Sequence, residues 1–129
     1  MKVLIIDDDP DIRLIAVAFL SGRGGMTVLE AGSGEDGVAL AEQELPDVIL
    51  LDAVMTGMDG PATLAALRER ETTASIPVIF LTGLSCADEQ HRLEQLGACG
   101  VLSKPFKASA LASTVLELLA TRDESKRAR

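Results

Sequence analysis

Five short apolar runs, rich in Val, Ile and Leu, alternate along the chain with stretches in which apolar residues recur every three or four positions. The runs predict strands buried on both faces, and the intervening stretches predict amphipathic helices. We therefore expect strands at 2–6, 26–31, 47–52, 76–81 and 99–103, and helices at 11–20, 35–44, 60–70, 87–96 and 107–121. Five strands alternating with five helices predict an α/β fold, with one parallel sheet and helices on both of its faces.

The length of 129 residues suits one domain of this kind. We place that domain at residues 1–121. Residues 122–129 hold four basic and two acidic side chains without an apolar period, and we interpret them as a charged tail or linker. No apolar run approaches the roughly 18 residues of a membrane helix, and Asp7 follows Met1 too closely for a signal peptide. With only Cys86 and Cys99 no disulfide framework is expected, so the sequence predicts a cytoplasmic protein that does not contact a membrane.

The charge balance argues against nucleic acid as a direct partner. The chain has 12 Lys and Arg against 20 Asp and Glu, which gives a net charge of −8. Phosphate backbones repel an acidic surface, so non-specific binding to nucleic acid is not expected.

Polar side chains follow four of the five predicted strands at the point where each strand ends. Asp7 and Asp8 follow the first strand, Asp52 ends the third, Thr82 follows the fourth and Lys104 follows the fifth. In open parallel sheets the functional crevice lies at the carboxyl ends of the strands. If the first and third strands are neighbours, three carboxylates meet there and repel each other unless a cation binds. Oxygen ligands of this kind suit Mg²⁺.

The same strand ends offer the groups that phosphoryl transfer requires. Lys104 supplies a positive charge, Thr82 supplies a hydroxyl donor, and an Asp can itself be the nucleophile. A single Asp at a strand end is usually a turn or helix-cap residue, and Asp9 and Asp11 fit that description best. The prediction of a phosphoryl site therefore depends on the conjunction of all four strand ends.

The chain resembles the receiver domain of two-component response regulators over residues 1–121. Four motifs carry the resemblance: Val3–Arg13, Pro46–Asp52 followed by Gly57–Gly60, Ile76–Thr82, and Lys104–Phe106. It implies a flavodoxin-like, doubly wound sheet of five parallel strands in the order 2-1-3-4-5, with five helices on two faces.

The resemblance also implies a role for each acidic residue. Asp52 is similar to the phosphoacceptor of the family. Asp8 and Asp52 resemble its direct Mg²⁺ ligands, with the backbone carbonyl of Val54 as a third, and Asp7 assists directly or through water.

Thr82 and Lys104 resemble the residues that bind the phosphoryl oxygens and shift on phosphorylation. The family's bond before Pro105 is typically cis. The implied function is a signalling switch that catalyses its own phosphorylation and dephosphorylation and is not otherwise an enzyme. A histidine kinase or a histidine phosphotransfer protein would be the donor. The surface of the fourth helix, fifth strand and fifth helix would change, reach an unidentified output protein or domain, and offer a face for homodimerisation.

Four positions depart from the family pattern. Thr56 replaces a usual Pro, so the loop after the third strand is expected to be less rigid. Val101 replaces a usual aromatic switch residue, so the signal could instead pass through main-chain movement after Thr82. Val54 and Leu84 are apolar where the family tunes hydrolysis of the phosphate, and we expect slower attack by water.

Three alternatives remain. A pseudo-receiver would keep the fold without phosphorylation, although Asp52, Thr82 and Lys104 are intact. Asp7–Asp9 after a strand also matches the start of haloacid-dehalogenase-type phosphatases, but no later Gly-Asp-x-x-x-Asp segment is present. Gly32–Gly37 spells the Gly-x-Gly-x-x-Gly pattern of dinucleotide-binding proteins, yet its acidic residues would stand where a pyrophosphate must bind.

Overall fold

The structure, a computed structural model, describes residues 1–23, 25–83 and 87–127. The expectations for Leu84 and Cys86 fall outside these residues. The strands are β1 (Lys2–Ile6), β2 (Thr27–Ala31), β3 (Val48–Asp52), β4 (Val78–Thr82) and β5 (Gly100–Ser103). The helices are α1 (Pro10–Val17), α2 (Gly34–Glu44), α3 (Gly60–Glu69), α4 (Ala87–Gln95) and α5 (Leu111–Arg127).

The five strands form one parallel sheet in the order β2-β1-β3-β4-β5, which confirms the predicted fold. The order reverses direction between β1 and β3, because β2 lies on one side of β1 and the later strands on the other. Ile6 pairs with Leu51, so the residues that follow β1 lie beside the end of β3. This is the switch point at which such sheets bind ligands.

Alternate side chains of each strand pack into two separate cores, one on each face of the sheet. On one face β1, β3 and β4 pack against α2, α3 and α4. On the other face the same strands pack against α1, the segment after it, and α5. The central strand β3 is buried along its whole length, as its continuous apolar sequence predicts.

The structure differs from the predicted boundaries where local hydrogen bonding changes. β4 begins at Val78 rather than 76, because the Ile76 N–H turns to the Thr73 carbonyl and Pro77 has no N–H to donate. The α-helical part of α1 ends at Val17, and a π-type helix continues over Ala18–Arg23.

The last helix also departs from its predicted range. A 3₁₀ turn at Ala108–Ala110 precedes α5, and α5 continues to Arg127. The predicted end of this helix at residue 121 is therefore wrong. The division of the chain into a domain at 1–121 and a tail or linker at 122–129 stays a prediction. Within the described ranges, no helix combines the length and apolar character needed to cross a membrane.

Candidate functional site

Three carboxylates meet at the switch point of the sheet. Asp7 and Asp8 follow β1, and Asp52 ends β3 on the neighbouring strand. Each offers an oxygen, and these oxygens all lie within 4.8 Å of one another. Asp7 and Asp52 are buried, whereas Asp8 is exposed. The prediction that the strand order would gather these three side chains is confirmed by their positions.

Backbone N–H groups hold each carboxylate in place. Asp7 Oδ1 accepts a hydrogen bond from the Asp9 N–H at 2.9 Å. Asp8 Oδ2 accepts one from the Thr56 N–H at 3.1 Å, and Asp52 Oδ1 accepts one from the Val54 N–H at 3.2 Å. The site is thus tied to the loop between β3 and α3.

That loop turns back sharply onto the end of β3. Gly57 has a φ of +78°, a conformation that favours glycine. A Cβ on Gly60 would lie 2.6 Å from both Ala53 Cα and the Asp52 carbonyl oxygen, so only glycine allows α3 to begin so close. Asp59 then caps α3 by accepting a hydrogen bond from the Ala62 N–H.

Thr56, which replaces the proline usual in the family, makes a hydrogen bond that proline could not make. Its N–H donates to Asp8, and proline at this position would have no N–H to offer. This bond opposes the loss of loop rigidity that the sequence leads one to expect.

Lys104 brings the positive charge that the sequence predicts for this site. Its Nζ lies 2.9 Å from Asp7 Oδ2 and 3.4 Å from Asp52 Oδ1. Its backbone N–H donates to the Thr82 carbonyl at 2.7 Å. The Lys104–Pro105 peptide bond is cis, as the resemblance implies.

The charges in this cluster are only partly balanced. The pKa of Asp52 is raised from its usual 3.8 to about 6, first by burial and then by the charge of Asp7; Lys104 and the Val54 N–H oppose the increase. Burial would lower the pKa of Lys104, but its hydrogen bond to Asp7 and the charges of Asp7 and Asp52 raise it overall. The raised pKa of Asp52 beside two other oxygen donors fits a site for a divalent cation such as Mg²⁺.

Thr82 and Val54 lie beside the cluster. Thr82 is buried at the end of β4, where it pairs with Ser103. Val54 is 65% exposed, and the contact that it makes with Asp52 is through its N–H. The metal-ligand role of the Val54 carbonyl and the phosphoryl-binding role of Thr82 stay predictions.

The sequence reasoning missed two polar contacts near the site. Gln90 Nε2 on α4 donates to Ser103 Oγ at 2.7 Å. Arg13 Nη1 on α1 donates to the Asp7 carbonyl at 2.6 Å. Neither has a signature in the sequence pattern, because each joins one polar side chain of ordinary type to a group on another part of the chain.

Packing accounts for the glycine-rich segment before α2. A Cβ on Gly37 would lie 2.5 Å from Ile6 Cδ1, and one on Gly34 would lie 2.3 Å from Thr63 Oγ1. Ser33 caps the helix by accepting a hydrogen bond from the Asp36 N–H. These glycines let α2 approach β1 and α3 closely, so the spacing requires no dinucleotide to explain it.

Comparisons with known proteins agree on one family. Residues 3–116 match the family model of the response regulator receiver domain. Protein PilH of Pseudomonas aeruginosa is 38% identical over 119 residues, which cover 92% of this chain and 98% of PilH. The transcriptional regulatory protein LiaR of Bacillus subtilis is 38% identical over 117 residues, but these span only 54% of LiaR. The chemotaxis response regulator CheY4 of Vibrio cholerae superposes with a TM-score of 0.84 at 30% identity, covering 91% of this chain and 97% of CheY4.

Proposed function

Because this chain belongs to the response regulator receiver family, we propose that it is a switch controlled by phosphorylation of Asp52. Receivers of this family are signalling regulators of two-component systems, and their general function is phosphorylation-dependent switching. The observation that carries the assignment to Asp52 is its position. It is a buried carboxylate at the switch point, within 4.8 Å of two others and 3.4 Å from the Lys104 ammonium.

Receivers generally bind Mg²⁺ at an acidic pocket, and we assign that pocket here to Asp7, Asp8 and Asp52. Asp8 and Asp52 would bind the ion directly, together with the carbonyl of Val54, and Asp7 would bind it directly or through water. The bound ion would offset the repulsion among the carboxylates and neutralise charge on the phosphoryl oxygens. The raised pKa of Asp52 supports this assignment, because burial first and the charge of Asp7 second disfavour its ionised form, and a bound cation would offset both.

The phosphoryl donor would be a phosphohistidine on a histidine kinase or a phosphotransfer protein. A carboxylate oxygen of Asp52 attacks the phosphorus, the P–N bond breaks, and the imidazole leaves with the bonding electrons. Lys104 is close enough to Asp52 to neutralise a phosphoryl oxygen there, and the Thr82 hydroxyl would donate to another. The receiver would thus catalyse its own phosphorylation.

Dephosphorylation returns the switch to its resting state through attack of water on the same phosphorus. Val54, whose N–H contacts Asp52, is 65% exposed, and its side chain has no polar group to orient that water. We therefore expect the acyl phosphate to be hydrolysed slowly. Leu84, the other apolar position expected to affect hydrolysis, lies outside the described residues.

The output surface proposed here is that of α4, β5 and α5. The Gln90–Ser103 hydrogen bond supports this choice, because Ser103 directly precedes Lys104. A movement of Lys104 toward a phosphoryl group would displace Ser103 and disturb the attachment of α4. Val101, where the family has an aromatic ring, is half-buried on β5 and is not required for this route.

The partners of this surface are proposals of the same kind. They are an output protein or domain and a second copy of the chain. The net charge of −8 disfavours direct contact with nucleic acid, and a cytoplasmic location would suit a partner kinase.

Beryllofluoride, which binds the unphosphorylated acceptor aspartate and mimics its phosphoryl group, tests the assignment. With Mg²⁺ it should raise the melting temperature of wild type and of the control Asp36→Asn, whose carboxylate is exposed on α2. Asp52→Asn should show no beryllofluoride-dependent increase. An equal increase in Asp52→Asn would refute Asp52 as the acceptor. No increase in wild type would favour a pseudo-receiver.

A further inference from the structure

The main chain of Asp7 is held on both sides at the end of β1. Its N–H donates to the Ala31 carbonyl of β2 at 3.1 Å. Its carbonyl accepts from Arg13 Nη1 of α1 at 2.6 Å. The carboxylate of the same residue contacts Lys104, so every polar group of Asp7 has a partner.

Arg13 is itself fixed by a residue of β2 and by the residue that directly follows this strand. Its Nε lies 3.4 Å from Glu30 Oε1. Its guanidinium lies against Gly32, since a Cβ built there would be 3.3 Å from Nη1. The Arg13 side chain is 21% exposed, which is low for an arginine. One planar group thus joins α1, the end of β1 and the end of β2.

We propose that Arg13 is a positioning residue for the metal site. It fixes the peptide that joins Asp7 to Asp8, and so sets the distance of both carboxylates from Asp52. A hydrogen bond to a main-chain group in this position acts as outer-shell contacts do around metal ligands, where loss of the contact weakens metal binding. The inference rests on the proposed function, because it assumes that the three carboxylates bind Mg²⁺.

The geometry requires the fork of an arginine. Nη1 reaches the Asp7 carbonyl while Nε faces Glu30, so two acceptors on different elements are held by one rigid plane. A lysine ammonium keeps the charge but has no such fork. The lysine variant therefore separates a requirement for charge from a requirement for shape.

Calorimetric titration with Mg²⁺ alone tests the proposal on the full chain. Arg13→Gln should weaken Mg²⁺ binding by about tenfold, and Arg13→Lys should not restore the affinity. Gly32→Ala leaves Arg13 intact but crowds its guanidinium, and should weaken binding by a smaller factor. Arg70→Gln is the matched control, because Arg70 also contacts a main-chain carbonyl and a glutamate, Ala66 and Glu42, but at the far end of α3.

The outcomes distinguish this inference from the proposed function. If wild type binds no Mg²⁺, or if Asp52→Asn binds it as tightly as wild type, the proposed metal site is wrong. If that site behaves as proposed but Arg13→Gln binds within twofold of wild type, the positioning role is wrong. An Arg13→Lys variant that binds Mg²⁺ as tightly as wild type would refute the requirement for the guanidinium fork, because the positive charge would then be sufficient. Melting curves in EDTA identify any variant that fails to fold. If Arg13→Gln does not fold, the Mg²⁺ affinity of Gly32→Ala decides, and an affinity equal to that of wild type would refute the positioning role.

Discussion

Helices α3 and α4 cover the same face of the sheet beside the site, yet they are attached to it differently. α3 buries Gly60, Thr63, Leu64 and Leu67 along one stripe. α4 has the sequence Ala-Asp-Glu-Gln-His-Arg-Leu-Glu-Gln, and among its described side chains only Leu93 is buried. As far as the described side chains show, α3 is anchored by a wide buried surface, and α4 by Leu93 and the hydrogen bond from Gln90 to β5.

This difference indicates which helix a chemical event at Asp52 can move. Segments with few buried apolar contacts open at lower free energy than the core, and switching elements belong to that class. α3 instead begins against the backbone of Asp52 and Ala53, so it serves as a fixed support for the site. We therefore expect the acidic centre to stay in place while α4 responds.

Two leucine truncations test this comparison most strongly. Leu67→Ala should lower the free energy of unfolding by about 3 kcal/mol, because it opens a cavity under the fixed helix. Leu93→Ala should lower the free energy of unfolding by less, because α4 can shift to close the cavity that this truncation leaves. It should also speed hydrogen exchange mainly in α4. Urea unfolding and exchange mass spectrometry measure both effects. Equal costs, with no preference for α4 in the exchange, would contradict the distinction.

The charge of Asp52 should have the next largest effect on the free energy of unfolding. Its pKa is raised from 3.8 to about 6 in the folded state, so the folded protein binds a proton more tightly than the unfolded chain. The stability of wild type in EDTA should therefore fall as the pH rises from about 4 to 6. Asp52→Asn removes this penalty and should be more stable than wild type by about 2 kcal/mol at pH 7.5, with a smaller advantage at pH 5.

Urea unfolding of both proteins at the two pH values checks this prediction. Mg²⁺ should reduce the advantage of the variant, because the ion stabilises the charged cluster of wild type. An advantage that grows toward pH 5 would contradict the raised pKa of Asp52, and an advantage that Mg²⁺ leaves unchanged would contradict binding of the ion beside Asp52.

The hydrogen bond between Gln90 and Ser103 should have the smallest effect on stability. Gln90→Ala should cost about 1 kcal/mol or less, as should the control Gln95→Ala, which loses only an exposed contact with His91. The two should differ in signalling. Beryllofluoride should change hydrogen exchange of α4 in wild type and in Gln95→Ala, and change it less in Gln90→Ala. If beryllofluoride changes hydrogen exchange of α4 in Gln90→Ala as much as in wild type, the Gln90–Ser103 hydrogen bond does not transmit the signal to α4.

Local sequence patterns predict most elements of the fold, and the positions at which they fail can be explained physically. Continuous apolar runs located all five strands, because strands buried on both faces have no polar alternation. The chain order of strands and helices does not by itself fix the sheet order, which came from the family resemblance. The predicted end of α5 is wrong, because a run of charged residues can continue a helix on the surface after its apolar stripe ends.

The site was predictable for a different reason. Asp7, Asp8, Asp52 and Lys104 each follow an apolar run, and parallel strands bring their ends to one edge. Contacts such as the one from Arg13 to the Asp7 carbonyl depend on where a side chain points after folding, so neither pattern nor propensity could indicate them. Such contacts are where a structure adds most to a sequence.

The phosphorylation site itself tests the account most directly. After incubation with acetyl phosphate and Mg²⁺, mass spectrometry should find one phosphoryl group on the peptide that contains Asp52. The modification should be absent without Mg²⁺ and in Asp52→Asn. A phosphoryl group on another residue, or an Asp52→Asn protein modified as readily as wild type, would contradict the assignment on which the switch depends.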